Sequence, residues 1–302
     1  MEATTTMGSA SCVACGGSAL DPWGSHDRHT IFRCPDCGTT GFARPFAGAH
    51  SYSEYYPYLK LFDAEQFKWE LDRRRARFDR QLEEIETLAP KERTLLDFGA
   101  GPGHFCAIAR ERGWKTTAIE ICEHAVTAGK QQYKVDFCDD LADVPDQSLS
   151  VITAFHVLEH LEDPLVLLRQ FHDKLRPQGV LVVHTPNVES LSSYLQFLLH
   201  RLRTPGTARK GSLYFPEHVS GFTLDGLGAV AARAGFATIR LQQCSLFSTY
   251  HWPLNFREFR MGSGSVAGAA VNLGKQCARG LVDHLGEAFG KGDWIVGLFR
   301  KA

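Results

Sequence analysis

The stretch that decides the fold is residues 94–103, which read TLLDFGAGPG. An apolar run of strand length ends in Asp97 and Phe98, and glycines follow at the alternate positions 99, 101 and 103. A strand that enters such a turn presents backbone N–H groups, with no Cβ in the way, to a ligand lying across its carboxyl end. The stretch therefore predicts a nucleotide-type crevice at the edge of a parallel sheet.

The spacing of these glycines distinguishes between kinds of nucleotide site. The dinucleotide fingerprint GxGxxG needs its third glycine at position 104, where this chain has His104. The next expected strand ends at Glu120, whose carboxylate can accept hydrogen bonds from both hydroxyls of a ribose. The pattern disfavours NAD and makes Glu120 the expected ribose ligand.

Strand-like and helix-like segments alternate on both sides of this turn. Short apolar runs predict seven strands, at residues 94–98, 115–120, 133–138, 149–155, 180–184, 237–241 and 294–300. Amphipathic segments predict helices after Pro164 and at residues 104–112, 123–130, 188–202 and 224–234. Because strands alternate with helices, the expected fold is α/β, with a doubly wound, mainly parallel seven-stranded sheet.

Four cysteines near the N-terminus form two CxxC pairs, Cys12 with Cys15 and Cys34 with Cys37. Two such pairs at this separation are typical of a tetrahedral four-thiolate zinc site, and a redox-active dithiol is the alternative. Four protein ligands leave no open position on the metal, so the predicted zinc is structural rather than catalytic.

Composition divides the chain into three predicted parts. Residues 1–42, rich in Gly, Ser and Cys, are the zinc-ribbon module. Residues 43–92 form an aromatic linker and an amphipathic helix over residues 64–88. Residues 93–302 are the main domain, in which long connections predict cap elements at about 188–221 and 244–293.

Bulk composition limits the partners and the location of the chain. A formal net charge of -1 disfavours a nucleic-acid partner, and the run Arg73-Arg74-Arg75 is interpreted as a solvated helix face because acidic residues surround it. The sequence shows no signal peptide and no apolar run of membrane-spanning length. We therefore expect a cytoplasmic protein. For the last 50 residues, a homodimer contact or contact with a membrane surface is an alternative to internal packing of the cap.

Longer motifs make the identification more specific. They read FHVLEHLEDP at residues 155–164, LRPQGVL at 175–181, TPN at 185–187 and PEH at 216–218. Together with the glycine turn and Glu120, they resemble the class I S-adenosylmethionine (SAM)-dependent methyltransferases, in particular the branch with the ubiquinone-biosynthesis O-methyltransferases. The resemblance implies a Rossmann-like fold and SAM as the cofactor.

The resemblance also implies which residues bind that cofactor. The turn residues Asp97, Gly99, Ala100, Gly101 and Gly103 are expected to line its methionine part. Asp139, Asp140 and Leu141 are expected to border its adenine. His156 is expected to lie beside its sulfonium.

Methyl transfer to a hydroxyl needs alignment of the acceptor and a base that removes its proton. His156, His160 and His218 are the catalytic candidates, with His156 preferred and an organising role in the loop as the alternative for His160. His156, Glu159 and His160 also spell HxxEH, and some quinone-type relatives hold a divalent cation with carboxylates in this segment. A catalytic metal is therefore an alternative, although His156 stands where those relatives have glutamate.

The predicted function is SAM-dependent methylation of a small-molecule acceptor, with a hydroxyl of a sugar, glycan, quinone-like phenol or natural product favoured. One alternative is an RNA methyltransferase whose zinc ribbon binds nucleic acid, for which the supporting residues are Arg201, Arg203, Arg209 and Lys210. A cofactor-binding scaffold without catalysis is a second alternative, which the intact turn and Glu120 disfavour.

Overall fold

The structure is a computed structural model that describes residues 11–26, 29–42, 63–195, 198, 218–245, 281–282 and 284–302. Most of both predicted cap elements, and the four basic residues cited for RNA binding, lie outside these described residues. The domain boundaries, the homodimer and the cytoplasmic location stay predictions. Within the described ranges, no helix has the length and apolar character needed to cross a bilayer.

Ten strands and five α-helices are described over their full length, and residues 191–195 and 284–288 are also helical. In chain order, the strands are β1 (Asp21–His26), β2 (His29–Arg33), β3 (Thr40–Phe42), β4 (Thr94–Phe98), β5 (Lys115–Ile119), β6 (Leu149–Phe155), β7 (Leu175–Pro186), β8 (Ser220–Gly221), β9 (Phe236–Cys244) and β10 (Trp294–Lys301). The helices are α1 (Ala64–Leu88), α2 (His104–Glu111), α3 (Glu123–Ala128), α4 (Pro164–Lys174) and α5 (Leu224–Arg233).

The larger sheet has the strand order β5-β4-β6-β7-β10-β9. The pairs β5–β4, β4–β6 and β6–β7 are parallel, whereas β10 pairs antiparallel with both β7 and β9. Parallel strands place their carboxyl ends at one edge, so the segments that follow β4, β5, β6 and β7 all emerge there. This edge is where the glycine turn and the histidine motif meet.

One of the seven predicted strands, at residues 133–138, is not confirmed. Among the described residues, the larger sheet has six strands, and this segment is not one of them. Phe137 makes a single parallel bridge to Ala118, at the outer edge of β5. Before it, Tyr133 closes a π-helical turn and Lys134 adopts a left-handed φ of 54°. The Tyr133 hydroxyl donates a hydrogen bond to the Phe67 carbonyl of α1, 2.7 Å away. Packing against α1 thus takes these residues out of a strand conformation.

Helix α1 packs on the main domain through an apolar face, as its sequence pattern predicts. A capping box between Asp63 and Gln66 starts the helix, and buried Phe67, Phe78 and Leu82 belong to the same core as α2. The Phe78 ring meets Phe105 of α2 edge to face at 5.1 Å between centroids. The helix is therefore an integral layer of the domain.

The interpretation of the Arg73-Arg74-Arg75 run as a solvated face is wrong in part. Arg73 and Arg74 pair with Glu70, which is buried. Arg75 crosses to Glu111 of α2, with 2.5 Å between Nη1 and Oε2. The run is engaged by carboxylates of its own fold, because the helix lies against α2 rather than projecting into solvent.

A second, smaller sheet has the order β1-β2-β3-β8, and all its pairings are antiparallel. The first three strands belong to the N-terminal segment that contains the two CxxC pairs. We call residues 11–42 the cysteine ribbon. Strand β8 comes from the main domain, so backbone hydrogen bonding joins the ribbon to it.

Candidate functional site

The turn after β4 requires glycine at the predicted positions. Gly99, Gly101 and Gly103 have φ angles of 73°, 55° and 80°, in the left-handed region that favours glycine. A Cβ on Gly99 would lie 2.6 Å from Cγ2 of Val157, and one on Gly103 would lie 2.8 Å from Cγ2 of Val135. The first of these contacts also shows that the turn abuts the residue next to His156.

Glu120 faces the turn from the end of β5. Its Oε2 accepts a hydrogen bond from the Gly101 N–H at 2.7 Å, and its Oε1 accepts one from the Cys122 N–H at 2.9 Å. Each carboxylate oxygen can accept a second hydrogen bond, so ribose hydroxyls can still bind. Ile121, which follows Glu120, is 66% exposed, and the sequence reasoning missed it. An apolar side chain exposed beside this carboxylate can pack on the face of a flat heterocycle. The sequence signal for Ile121 was its position directly after the acidic residue that ends the strand.

Asp97 lies beneath the turn and is buried. Thr153 donates a hydrogen bond from Oγ1 to Oδ1 of Asp97 at 2.6 Å. Burial raises the pKa of Asp97 to about 7, the charge of Glu120 adds to the rise, and the Thr153 hydrogen bond opposes it. A carboxyl group in this state titrates near neutrality, unlike an exposed aspartate.

Replacing Asp97 by asparagine is expected to flatten the pH dependence of stability. The folded-state pKa of about 7 lies above the ordinary value of 3.8, so the folded chain holds this proton more tightly than the unfolded chain does. The resulting stabilisation is complete below the ordinary value and is lost as the pH rises through about 7. Between pH 5 and pH 8, urea unfolding should show a loss of free energy of unfolding about 1 to 3 kcal/mol larger in wild type than in Asp97→Asn. The same loss in both proteins would contradict this prediction.

The predicted adenine segment divides into three different environments. Oδ1 of Asp140 accepts a hydrogen bond from the Ala142 N–H at 2.8 Å and caps the short 3-10 helix Leu141–Asp143. The Leu141 side chain is buried in the core, whereas Asp139 is exposed. Of the two carboxylates, Asp139 is therefore the better candidate for contacting a ligand at this edge.

The structure brings the three predicted catalytic histidines together around one buried carboxylate. Nδ1 of His156 lies 3.2 Å from Oε1 of Glu159, which is 1% exposed, and Thr185 donates to its Oε2 at 3.1 Å. Ligand atoms of Glu159, His160 and His218 all lie within 4.8 Å of one another. We call Glu159 and the three histidines the Glu159 cluster; the HxxEH motif was the signal for Glu159.

The electrostatics of the Glu159 cluster keep its carboxylate ionised. Burial alone raises the pKa of Glu159, but the His156 hydrogen bond and the charges of the three histidines outweigh it and lower the pKa overall. Burial lowers the pKa of His218 to about 4, which the Glu159 charge partly offsets. Both shifts favour an ionised Glu159 beside a neutral His218 near pH 7.

His156 is held in an unusual backbone conformation. Its φ is 58°, and its N–H donates to the His184 carbonyl at 2.9 Å. The ring packs edge to face on Trp294 with 4.3 Å between centroids. Its Nε2 is buried and has no hydrogen-bond partner among the described residues. A left-handed backbone conformation is typical of a functional position. In this residue Nδ1 faces the Glu159 carboxylate, and Nε2 is left to interact with a ligand.

Arg77 of α1 is a further cation at this edge that the sequence reasoning missed. Burial lowers the pKa of His104, at the start of α2, and of His184, near the end of β7, and the charge of Arg77 adds to both shifts. One helical turn later, Nε2 of Gln81 lies 2.8 Å from Nε2 of His184. Arg77 therefore lies on the face of α1 that points toward the carboxyl edge.

The four ribbon cysteines converge as predicted. The Sγ atoms of Cys12 and Cys37 are 3.6 Å apart, those of Cys15 and Cys34 are 3.5 Å apart, and all four lie within 4.8 Å of one another. A disulfide needs about 2.05 Å between sulfurs. A tetrahedral zinc with Zn–S bonds of about 2.3 Å separates them by about 3.8 Å. The donor set and its geometry therefore fit zinc.

Both cysteine pairs lie in tight turns of the kind that such a site needs. Gly16 donates its N–H to the Cys12 carbonyl and Gly38 donates to the Cys34 carbonyl, each at 2.9 Å, and both glycines have positive φ. A hydrogen bond from the Cys12 thiol lowers the pKa of Cys37 to about 4. A thiolate is thus favoured before any metal arrives.

A cavity of about 500 Å³ lies between the ribbon and the main domain. Its lining includes the carboxylates of Asp21, Asp36, Glu189 and Asp225. Among the described residues that line it, Arg33 is the one cation, and its Nη2 lies 2.5 Å from Oε1 of Glu189. The cavity therefore has an acidic character.

Comparison with known proteins gives a family match. The family model described as "Methyltransferase domain" matches residues 54–241. A ubiquinone biosynthesis O-methyltransferase of Idiomarina loihiensis is 28% identical over 127 residues, which are 39% of this chain and 52% of that protein. A protein of Mycobacterium tuberculosis named "Probable S-adenosylmethionine-dependent methyltransferase" is 29% identical over 193 residues, 62% of this chain and 63% of that protein. These alignments span about half to two thirds of the relatives' length.

Solved structures share the fold at low sequence identity. Phosphoethanolamine N-methyltransferase 2 of Haemonchus contortus, in complex with SAM, has a TM-score of 0.54 at 11% identity, covering 92% of this chain and 70% of that one. A SAM-dependent methyltransferase of Thermotoga maritima has a TM-score of 0.51 at 16% identity, covering 83% of this chain and all of that one (100%). These likenesses concern the α/β fold alone.

Proposed function

Because this chain belongs to the methyltransferase-domain family and has its class I, Rossmann-like fold, we propose that it transfers the methyl group of SAM to a hydroxyl of a small-molecule acceptor. The observation that supports this most directly is the contact between the glycine turn and the segment of the Glu159 cluster, at Gly99 and Val157. A cofactor crevice and a carboxylate-bound histidine adjoin there.

In this proposal, SAM binds across the carboxyl ends of β4 and β5. Glu120 binds the ribose hydroxyls, and Asp97, Gly99, Ala100, Gly101 and Gly103 line the methionine part. Asp139, Ile121 and the Asp140-Leu141 turn border the adenine. Arg77 supplies a positive charge for the carboxylate of the methionine part. The sequence reasoning had named no cation for this role.

Replacing Glu120 by alanine is expected to weaken SAM binding about 30- to 100-fold, which corresponds to about 2 to 3 kcal/mol. The variant loses hydrogen bonds to the ribose and leaves the Gly101 N–H without its carboxylate. Isothermal titration calorimetry with SAM measures this change. Glu123→Ala is the matched control, because it removes an exposed carboxylate from the next helix. An affinity for Glu120→Ala within about threefold of wild type would rule out the ribose assignment.

SAM supplies an electrophilic methyl group on a sulfonium, so the protein must align the acceptor and, for a hydroxyl, remove its proton. We assign the base to His156. Glu159 accepts from Nδ1 and holds the tautomer in which Nε2 is an acceptor, and Nε2 takes the hydroxyl proton. His160 and His218, whose ligand atoms lie within 4.8 Å of a Glu159 carboxylate oxygen, position that carboxylate. A base oriented by a buried carboxylate favours a hydroxyl over an amine acceptor, because a neutral amine attacks without one.

The proposed metal of the cysteine ribbon is a structural zinc bound by Cys12, Cys15, Cys34 and Cys37. The sulfur separations and the tight turns support it. All four positions of the metal are then taken by protein ligands, so its role is to fold the ribbon.

The acidic cavity disfavours the alternative of an RNA methyltransferase. A ribbon that grips RNA needs a positive surface to neutralise phosphates. The cavity beside the second cysteine pair instead has four carboxylates in its lining. These charges support a small-molecule acceptor over RNA.

A screen for release of S-adenosylhomocysteine (SAH) tests the proposed function. The acceptors are catechol and methyl glycosides as hydroxyl compounds, primary amines, and total RNA as the alternative. We expect SAH release with a hydroxyl compound and loss of that release in His156→Ala. Release with RNA alone would favour the alternative, and SAM binding without turnover on any acceptor would favour the scaffold.

A further inference from the structure

The cysteine ribbon shares a β-sheet with a segment of the main domain that leads into the Glu159 cluster. Strand β8 pairs with β3 through Thr40 with Gly221 and Gly41 with Ser220. The approach is close, because a Cβ on Gly41 would lie 3.3 Å from the Val219 carbonyl oxygen. The ribbon is thus joined to the domain by backbone pairing as well as by the linker in sequence.

The same segment contacts the Glu159 cluster just before β8. His218 is buried, and its ring meets that of His160 at 4.7 Å between centroids. The next residue, Val219, donates its N–H to the Glu159 carbonyl at 2.8 Å. A single residue therefore separates His218 from the strand that the ribbon holds.

The N-cap residue of α5 and the last residue of α5 fix the ribbon at two further points. Thr223 donates from Oγ1 to the Cys37 carbonyl at 2.5 Å and also caps α5. At the other end of this helix, Nη1 of Arg233 donates to the Ala14 carbonyl at 2.7 Å. Each cysteine pair thus has one tether to the domain, and the tether at Cys37 lies two residues beyond β8.

We propose that the cysteine ribbon is a positioning element of the catalytic site: its metal orders the Cys34–Cys37 turn and β3, β3 aligns β8, and β8 sets His218 against Glu159 and His160. This inference rests on the proposed function, because it gives the ribbon a role in methyl transfer. Among the described residues, the glycine turn contacts Val157, Val135, Ile119 and Glu120, none of which belongs to the ribbon. Metal loss is therefore expected to impair turnover while SAM affinity is retained.

The first test removes the metal from the whole protein with a chelator and observes His218 directly. The Cε1–H resonance of His218 is assigned by its absence in His218→Gln and is recorded in the presence of SAH. We expect this resonance to shift on chelation, while calorimetry gives a SAM dissociation constant within about twofold of the metal-loaded value. Re-addition of zinc should restore the resonance.

The second test disturbs the junction without touching a cysteine. Gly41→Val places side-chain atoms against the Val219 carbonyl, in a strand that otherwise tolerates valine. Thr30→Val is the matched control, since it adds the same residue to β2, away from β8. With the acceptor found in the screen, we expect Gly41→Val to keep its zinc and its SAM affinity but to lose roughly 10- to 100-fold in kcat. The control should match wild type.

Two results would overturn the positioning role: an unchanged His218 resonance in folded, zinc-free protein, or a wild-type kcat and resonance in Gly41→Val. Failure of the proposed function is a separate outcome. If wild type releases no SAH with any acceptor, the methyl-transfer proposal fails. The shift of the His218 resonance, which needs no acceptor, still decides whether the ribbon positions this residue.

Discussion

His156→Ala is expected to lower kcat for methyl transfer to a hydroxyl acceptor roughly 100- to 10,000-fold, the usual contribution of a general base. The variant removes the Nε2 atom that takes the proton and leaves Glu159 without the imidazole nitrogen 3.2 Å from its Oε1. The contacts of Glu120 with Gly101 and Cys122 do not involve His156, so the SAM dissociation constant should stay within about threefold of wild type. Steady-state kinetics and calorimetry on the same preparation measure the two quantities.

His172→Gln is the matched control for this variant. His172 lies in the last turn of α4, which leads into the start of β7 and so lies at the opposite end of the sheet from the cluster. It should keep wild-type kcat. Full turnover by His156→Ala with intact SAM binding would eliminate His156 as the base and leave His160 and His218 as the candidates.

A companion variant, Glu159→Gln, tests how much of the rate depends on the orientation of the His156 imidazole rather than on its presence. Glutamine keeps the size of the side chain but loses the negative charge that orients the Nδ1 side of His156. We expect a smaller fall in kcat than for His156→Ala, about 10- to 100-fold, measured by steady-state kinetics on the same acceptor. A wild-type kcat in Glu159→Gln would show that Glu159 has no influence on the base.

Cys34→Ser is expected to abolish metal binding by the ribbon and to unfold it locally. Structural zinc sites contribute apparent binding free energies of about 10 to 16 kcal/mol, which become folding free energy when the ligands lack order without metal. Metal analysis of protein purified without chelator should give about one zinc per chain for wild type and far less for the variant. Hydrogen exchange should show faster exchange in β2 and β3, whereas β4 and β6 stay protected.

Cys138→Ser is the matched control, because Cys138 is a cysteine outside the ribbon that follows the Phe137 bridge. It should retain the zinc content and the exchange pattern of wild type. A full complement of zinc and native protection in Cys34→Ser would show that Cys34 is not a ligand. The absence of zinc from wild type would contradict the metal proposal itself.

Several features could be predicted from the sequence because they depend on short stretches of chain. The turn after β4 is one, since left-handed backbone at positions 99, 101 and 103 admits few residues other than glycine. The α1 helix is another, and its predicted bounds match the structure because its apolar period and its Asp63 cap are local. The two cysteine pairs converge as their spacing indicates.

Other features depended on contacts between distant residues. Residues 133–138 have the composition of a strand, but Tyr133 packs on α1 and the chain makes a single bridge instead. Asp139 and Asp140 look equivalent in sequence, and the 3-10 helix that follows takes the carboxylate of Asp140 as its cap. The hydrophobic periodicity of the sequence predicts neither the loss of this strand nor the capping role of Asp140.

By itself, the sequence determined the conformation of the glycine turn and the convergence of the four thiols, because each is built by neighbouring residues whose backbone geometry or spacing leaves few alternatives. The tertiary structure alone decided that His156, His160 and His218 share one buried carboxylate, and that the ribbon reaches this cluster through β8. His218 lies far along the chain from His160, and its position depends on the pairing of β8 with β3 and of Val219 with Glu159. Such pairings form when the whole chain folds, so no local pattern specifies them.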